Sequence, residues 1–101
     1  MSRTNLNELR DRRLGRMTVA ERADFDATYA AAKLALSVGE QVRDAREAAG
    51  LSQRALASRM GTSQASIARL ESGGVGSTLT TLQRVATALD LEVSVNLRIV
   101  G

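Results

Sequence analysis

Apolar residues follow two different periods along this chain. Between residues 18 and 90 they recur every three or four positions, which is the spacing of one face of an α-helix, as in Phe25, Tyr29, Ala32 and Leu36. Between residues 91 and 99 they alternate with polar residues, which is the period of a half-buried β-strand. The pattern therefore predicts an all-α domain followed by one C-terminal β-strand.

Capping signals divide the helical region into segments. Thr18 and Glu21 form a T-x-x-E capping box, and Ser37 and Glu40 repeat that pattern. We expect two helices to meet there, because a capping box marks a helix N-terminus. The expected segments are an N-terminal tail over 1–17, an N-terminal helix over 18–37, a domain over 38–90 with helices at 38–49, 53–60, 64–72 and 79–89, and a strand over 91–101.

Residues 52–73 predict two short helices joined by a tight turn. Gly61 permits the positive φ of a sharp turn, and Ala57 is small enough to let the second helix cross closely over the first. Apolar residues on both helices would face a shared core, namely Leu56, Met60, Ile67 and Leu70. The outer face of the second helix is polar, as in a helix that enters a DNA groove. This spacing favours a helix-turn-helix motif.

The alternating C-terminal segment needs a hydrogen-bonding partner. A single strand leaves its backbone N–H and C=O groups unpaired. We expect it to form an antiparallel two-stranded ribbon with its own copy in a homodimer, with a contact made by Leu91, Val93, Val95, Leu97 and Ile99. The alternatives are a strand docked singly on the helices and a strand that binds a different protein.

Positive charge is concentrated in two places. The net charge is only +3, but residues 1–17 carry five Arg against two acidic residues, and residues 51–72 carry three Arg against one Glu. Residues 18–50 are net acidic. The tail and the two-helix motif are therefore where contacts with phosphates are expected.

Composition argues against several classes of function. The chain has no cysteine and no histidine, which removes disulfides, thiolate chemistry, histidine catalysis and the common metal sites. The sequence shows no phosphate-binding loop and no nucleophile–base spacing, so we expect neither an enzyme nor a cofactor. No apolar run approaches the ~20 residues of a membrane span, and no signal peptide is evident. We expect a cytoplasmic protein that binds no membrane and no small-molecule ligand.

Residues 38–90 resemble the phage-repressor (XRE, Cro/CI-type) helix-turn-helix family, through the stretch VRDAREAAGLSQRALASRMGTSQASIARLESG. A second stretch, STLTTLQRVATALDL, is similar to the HigA-type and HipB-type antitoxins of type II toxin–antitoxin systems. The resemblance implies a five-helix domain, whose second and third helices form the motif, with an extra helix ahead of it. It also implies a homodimer that represses its own operon and binds a RelE- or HigB-like toxin.

The resemblance assigns the third helix of the domain to the major groove of double-stranded DNA. The base-contacting positions carried over from the family are Gln64, Ala65, Ser66 and Arg69. A Gln amide can pair with adenine, an Arg with guanine, and the methyl group of Ala can touch that of thymine. Candidate phosphate contacts are Gln53, Thr62, Ser63 and Arg43. A dimer of this kind reads two half-sites about 34 Å apart, so the operator should be an inverted repeat.

Four further residues receive a structural or a partner role. Arg46 and Glu71 match family positions that form an internal ion pair, which would lock the first helix of the domain to the end of the third. Phe25 and Tyr29 are the only aromatic residues and share one face of the N-terminal helix. They either pack that helix onto the domain or form a contact for the toxin.

Three functions remain compatible with the sequence. The leading one is a sequence-specific repressor that serves as an antitoxin, and the second is a stand-alone repressor of phage or plasmid type. The third is an adaptor that uses the helix-turn-helix fold to bind proteins, which the lack of Lys and Arg in the Gly-rich loop 73–76 favours. A short basic reading frame beside the gene would separate the first two, and the salt dependence of DNA binding would separate both from the third.

Overall fold

Four α-helices occupy most of the part of the chain that the computed structural model describes, which is residues 15, 17–74 and 78–100. They are α1 (Val19–Ala48), α2 (Gln53–Met60), α3 (Gln64–Glu71) and α4 (Leu79–Leu89). The chain divides into two units, Met1–Leu34 and Ala35–Gly101. The second unit contains α2, α3, α4 and the C-terminal part of α1. The helices fit an all-α helix-turn-helix arrangement, but the predicted fold was wrong in its helix count and in its strand.

The core of the second unit is aliphatic and centres on α2, which contacts both α3 and α4. Its buried apolar side chains are Val42, Leu56, Ala57, Met60, Ile67, Leu70, Val85, Ala86 and Leu89. Leu56 of α2 and Ile67 of α3 are the largest of the fully buried side chains. Because each fully buried aliphatic side chain contributes roughly 1.5–3 kcal/mol, these few residues supply much of the hydrophobic stabilisation of the unit.

Local sequence signals set the helix ends. The N-caps of α2, α3 and α4, whose side-chain oxygens accept from a backbone N–H three residues on, are Ser52, Ser63 and Thr78. After α2, Gly61 adopts the left-handed conformation with a φ of 68°, and the N–H of Thr62 donates to the carbonyl of Ala57 at 2.9 Å. Asp90 adopts the same conformation after α4, with a φ of 57°. Asp tolerates this region better than most residues other than glycine. A left-handed residue directly after the last helical residue is typical of a Schellman-type turn, and both helices end in such a turn.

The predicted boundary between helices at residues 37 and 38 was wrong. α1 runs through it, and both the carbonyl and the hydroxyl oxygen of Ser37 accept hydrogen bonds from the side chain of Gln41. Ser37 therefore bonds within a helix instead of capping one, and the chain has no proline that would force an end there. The described ranges contain four helices, not five preceded by an extra one.

Gly39 lies inside α1 because the end of α3 passes against it. The residue is buried, and a methyl group on its Cα would lie 2.6 Å from the carbonyl oxygen of Glu71 and 2.7 Å from that of Leu70. Both distances are too short for a carbon–oxygen contact. Glycine is therefore required by the close approach of two backbones, which the helix pattern of the sequence does not reveal.

Substituting Gly39→Ala should destabilise the protein by about 1–3 kcal/mol, the usual cost of forcing extra atoms into a packed site. This expected loss of stability is opposite to the usual effect, because Ala normally stabilises a helix interior by ~1 kcal/mol relative to Gly. Urea unfolding of the full chain measures the change. Ser37→Ala, at an exposed position of the same helix, is the matched control and should be near neutral. A stabilised Gly39→Ala variant would contradict the close approach.

The predicted C-terminal β-strand was wrong. Residues 91–100 have no regular secondary structure, and no strand occurs in the described ranges. Alternation produces a strand only where a neighbouring strand supplies hydrogen bonds, and α1 to α4 present no such edge. Of the residues assigned to the strand contact, Val93 is half-buried, and the exposed ones are Leu91, Val95, Leu97 and Ile99.

Most of the predicted N-terminal tail, residues 1–14 and 16, lies outside the described residues. Its assignment as a basic tail stays a prediction. Within the described ranges, no helix combines the length and the apolar character that crossing a membrane requires.

Candidate nucleic-acid interface

Residues 61–63 connect α2 to α3 and set the angle between the two helices. Gly61 takes the left-handed conformation, and Ser63 caps α3 by accepting the N–H of Ser66 at 3.2 Å. Ala57 is buried on α2, where a larger side chain would separate the helices. The residues expected to face a shared core are all buried, namely Leu56, Met60, Ile67 and Leu70. The two helices therefore form one packed helix-turn-helix unit.

The second helix of this unit has two distinct faces. Ile67 and Leu70 point into the core, whereas the residues expected to contact bases are all exposed: Gln64, Ala65, Ser66 and Arg69. These four fall at the first, second, third and sixth positions of α3. They offer an amide, a methyl group, a hydroxyl and a guanidinium on one side of a short helix. This set can make hydrogen bonds and apolar contacts to base edges in a major groove.

The first residues of the two helices are joined by their side chains. The Nε2 of Gln64 donates to the Oε1 of Gln53 at 2.7 Å. The Nε2 of Gln53 in turn donates to the Oε1 of Glu71 at 3.1 Å. Gln53 is half-buried and Gln64 is exposed, so the connection runs from the interior to the outer face. The amide of Gln64 is therefore connected through Gln53 to the buried carboxylate of Glu71.

A buried ion pair closes the inner end of this connection. Arg46 of α1 donates from Nε to the Oε2 of Glu71 at 2.6 Å and from Nη2 to its Oε1 at 2.9 Å. Its Nη1 donates to the carbonyl of Leu51 at 2.8 Å, at the start of the connection to α2. The side chain of Glu71 is fully buried. The pair therefore ties α1 to the end of α3 with a bidentate contact, the strongest geometry for such a pair.

The four candidate phosphate-contacting residues differ in their burial and in their hydrogen-bonding partners. Gln53 is half-buried at the first position of α2, and Thr62 is half-buried in the turn. The hydroxyl of Ser63 is shared with that of Ser66 at 2.9 Å. Arg43 is about half exposed and lies 3.6 Å from the carboxylate of Glu71. Of these four, Arg43 brings the only full positive charge, and its exposed part is available to an anion.

Comparison with known proteins identifies the family. A family model described as helix-turn-helix matches residues 42–95, slightly more than half of the chain. The chain belongs to the helix-turn-helix family. It is 45% identical over 56 residues to an uncharacterized HTH-type transcriptional regulator, y4dL, of Sinorhizobium fredii (strain NBRC 101917 / NGR234). That match covers 55% of this chain and 29% of the relative, so the chain spans less than a third of the relative's length. No solved structure matches the chain significantly.

The charge state of Glu71 follows from its partners in this helix-turn-helix unit. Burial alone would raise the pKa of the Glu71 carboxyl, but hydrogen bonds from Arg46 and Gln53, together with the charges of Arg46 and Arg43, outweigh burial and lower it. The hydrogen bond to Glu71 likewise raises the pKa of Arg46 against the opposing effect of burial. Both groups are therefore charged at neutral pH, and the Glu71 carboxylate acts only as an acceptor.

Two arginines, one in the two-helix motif and one in α4, have structural partners that the sequence did not indicate. Arg59 of α2 donates from Nη1 to the carbonyl of Ala88 at 3.2 Å, and Arg84 of α4 donates to the carbonyl of Met60. Each satisfies a carbonyl at the C-terminal end of a helix, where positive charge is favourable. The position of Arg59 in the last turn of α2 was a signal for this role, whereas the charge count treated it only as part of a basic motif.

The candidate partner residues Phe25 and Tyr29 lie in the first unit. Their rings are stacked with centroids 6.4 Å apart, and the Nζ of Lys33 lies 5.8 Å from the centroid of the Tyr29 ring. Both aromatic side chains are half-buried. Their role in contacting a partner stays a prediction.

The described ranges contain no group of three or more acidic residues placed to hold a metal ion.

Proposed function

We propose that this protein is a sequence-specific DNA-binding transcriptional repressor. The observation that carries the proposal is the exposed face of α3, where Gln64, Ala65, Ser66 and Arg69 lie together while the opposite face is buried. Membership of the helix-turn-helix family and the likeness to a relative named as a transcriptional regulator support it. The function is occupancy of a promoter by α3 inserted in the major groove.

The chemistry of each side chain assigns it a part in DNA binding. Gln64 pairs with adenine, Arg69 pairs with guanine, and the methyl group of Ala65 contacts that of thymine. Ser66 can donate to or accept from a neighbouring base. The residues proposed to hold the backbone phosphates are Gln53, Thr62, Ser63 and Arg43. Base contacts would then give specificity, while phosphate contacts would fix the register of α3.

The salt dependence of binding to selected duplexes tests this function. The full chain is used to select duplexes from a random pool, and the affinity for the best duplex is then measured over a range of salt concentrations. The logarithm of the affinity should fall linearly with that of the salt concentration, with a slope of about −0.9 per neutralised phosphate. Binding that is absent or insensitive to salt would refute the proposal and favour a protein-binding adaptor.

Arg69→Ala should weaken binding by about 1–3 kcal/mol at one base pair and relax specificity there. The reason is that a bidentate contact to guanine distinguishes that base from the others, whereas a phosphate contact does not. Competition with duplexes substituted at each position measures the effect. Arg22→Ala, an exposed arginine at the start of α1, is the control for loss of charge. An equal loss on all duplexes would contradict base reading by Arg69.

We further propose that the repressor acts as a homodimer on an inverted repeat, since one α3 reads only half a site. The exposed apolar side chains of residues 91–100 are the proposed contact, because five large ones are exposed within ten residues of the sequence: Leu91, Val95, Leu97, Ile99 and Val100. This contact requires no regular strand. Val93 is half-buried beside them.

Truncation after Asp90 should leave a monomer that binds the operator weakly. A monomer loses the second half-site, and the effective concentration that the dimer contact provides is lost with it. Sedimentation of the truncated and full chains measures the first effect, and duplex titration the second. A truncated chain that remains a tight dimer would rule out residues 91–100 as the contact.

An antitoxin role is the finer form of this proposal. It rests on the likeness of residues 77–91 to HigA-type and HipB-type antitoxins, and Phe25 and Tyr29 are the proposed contacts for a RelE- or HigB-like toxin. Co-expression with a tagged product of the adjacent reading frame tests it. A stable complex that relieves growth arrest would support the role. With no complex and no arrest, the protein would be a stand-alone repressor.

A further inference from the structure

The side chain of Gln53 lies between a buried charge and an exposed amide. Its Nε2 donates to the carboxylate of Glu71 at 3.1 Å, and its Oε1 accepts from the Nε2 of Gln64 at 2.7 Å. The two ends of the Gln53 amide are thus both engaged, one toward the interior and one toward the outer face of α3. A rotation of this amide by half a turn would exchange its donor and acceptor ends.

The carboxylate of Glu71 forbids that rotation. An ionised carboxylate only accepts hydrogen bonds, and Arg46 keeps this one ionised through a bidentate contact. Gln53 must therefore turn its nitrogen toward Glu71, and its oxygen is left to face Gln64. The oxygen of Gln53 can only accept, so Gln64 must in turn supply an N–H. The carboxylate of Glu71 therefore determines which end of the Gln53 amide donates, and through it which end of the Gln64 amide donates.

We infer that Glu71 is a specificity-determining positioning residue, which acts through Gln53 to fix the orientation of the Gln64 amide. Gln64 then presents to a base edge its oxygen and its one remaining N–H. The inference rests on the proposed DNA-binding function and adds to it a residue that does not touch DNA. It assigns to a buried ion pair a role in reading sequence as well as in stability.

One donor and one acceptor select adenine. In the major groove adenine presents the N7 acceptor and the N6 donor, which match the N–H and the oxygen of Gln64. Guanine presents two acceptors, N7 and O6, and pairing with both would need two N–H groups. One N–H of Gln64 is already bound to Gln53, so guanine would face the amide oxygen. Adenine should be preferred over guanine at this position by about ten- to a hundredfold.

Affinity ratios at a single base pair test the inference. Duplexes selected by the wild-type chain are varied at each position, and the position at which Gln64→Ala loses discrimination is identified. Gln53→Leu is then measured there, because it removes the connection while leaving the pair of Arg46 and Glu71 intact. Its adenine-to-guanine ratio should fall to within about threefold of one, with ratios at other positions unchanged. Gln83→Leu, at an exposed position of α4, is the matched control.

Glu71→Gln should produce the same loss at the same position in a chain that is still folded by circular dichroism. Nuclear magnetic resonance of the side-chain amides in the wild-type protein provides a measurement that does not depend on that variant. One N–H proton of Gln53 and one of Gln64 should each be protected from exchange, with the Gln53 proton coupled across its hydrogen bond to the Glu71 carboxyl carbon. Free exchange of both protons on the side-chain nitrogen of Gln53 would overturn the inference.

Failure of the inference is distinct from failure of the proposed function. If Gln64→Ala loses discrimination but Gln53→Leu keeps it, the inference is wrong and the repressor function stands. If Glu71→Gln folds and weakens all duplexes equally, its role is structural only. If the wild-type chain shows no salt-sensitive binding, both are wrong.

Discussion

Replacing Arg46 with methionine should destabilise the protein by about 3–5 kcal/mol, the usual cost of removing one partner of a buried ion pair. The loss is large because Glu71 would stay fully buried with two of its hydrogen bonds removed. The carbonyl of Leu51 would also lose its donor. Chemical denaturation of the full chain at neutral pH measures the change, with an unchanged dependence on denaturant showing that unfolding remains two-state.

Two comparisons separate the buried charge from other effects of this substitution. Arg43→Met removes a half-exposed arginine from the same carboxylate and should cost less than about 1 kcal/mol, since exposed ion pairs contribute little. The double variant Arg46→Met with Glu71→Leu should recover most of the loss, because a buried pair can often be replaced by apolar side chains at little cost. Equal effects of Arg43→Met and Arg46→Met would contradict the assignment of the buried pair.

The helix-turn-helix unit could be predicted from sequence because its requirements are local. Gly61 is needed for the left-handed turn, Ala57 for the close crossing, and Ser63 for the cap of α3, and these residues lie within seven positions of each other. Each is a steric or hydrogen-bonding requirement on one residue type. A pattern of such requirements at fixed spacing identifies the motif without any knowledge of distant contacts.

The errors arose where the outcome depends on contacts between distant parts of the chain. Ser37 and Glu40 have the spacing of a capping box, but α1 continues through both of them, and Gly39 between them packs on the end of α3. The alternating residues 91–99 have the period of a strand, but a strand also needs a hydrogen-bonding neighbour. Periodicity describes which side chains share a face and does not supply the partner for the backbone.

The candidate site was predicted as separate residues and not as a connected set. Gln53, Gln64 and Glu71 each matched a position in a known pattern, with phosphate, base and structural roles assigned independently. The structure places them in one chain of hydrogen bonds, although 18 residues separate Gln53 from Glu71. That connection follows from the packing of α2 on α3, which residue spacing alone does not define.

Leu56→Ala should destabilise the protein by about 2–5 kcal/mol, the range for truncating a large buried aliphatic side chain. Leu56 is fully buried on α2, which contacts both α3 and α4, so the cavity would open where the three helices meet. Leu79→Ala is the matched control, because the same atoms are removed from a side chain that is 68% exposed, and it should change stability by less than about 0.5 kcal/mol. Denaturant midpoints of the two variants measure the difference. Comparable midpoints would show that α2 is not the centre of the core.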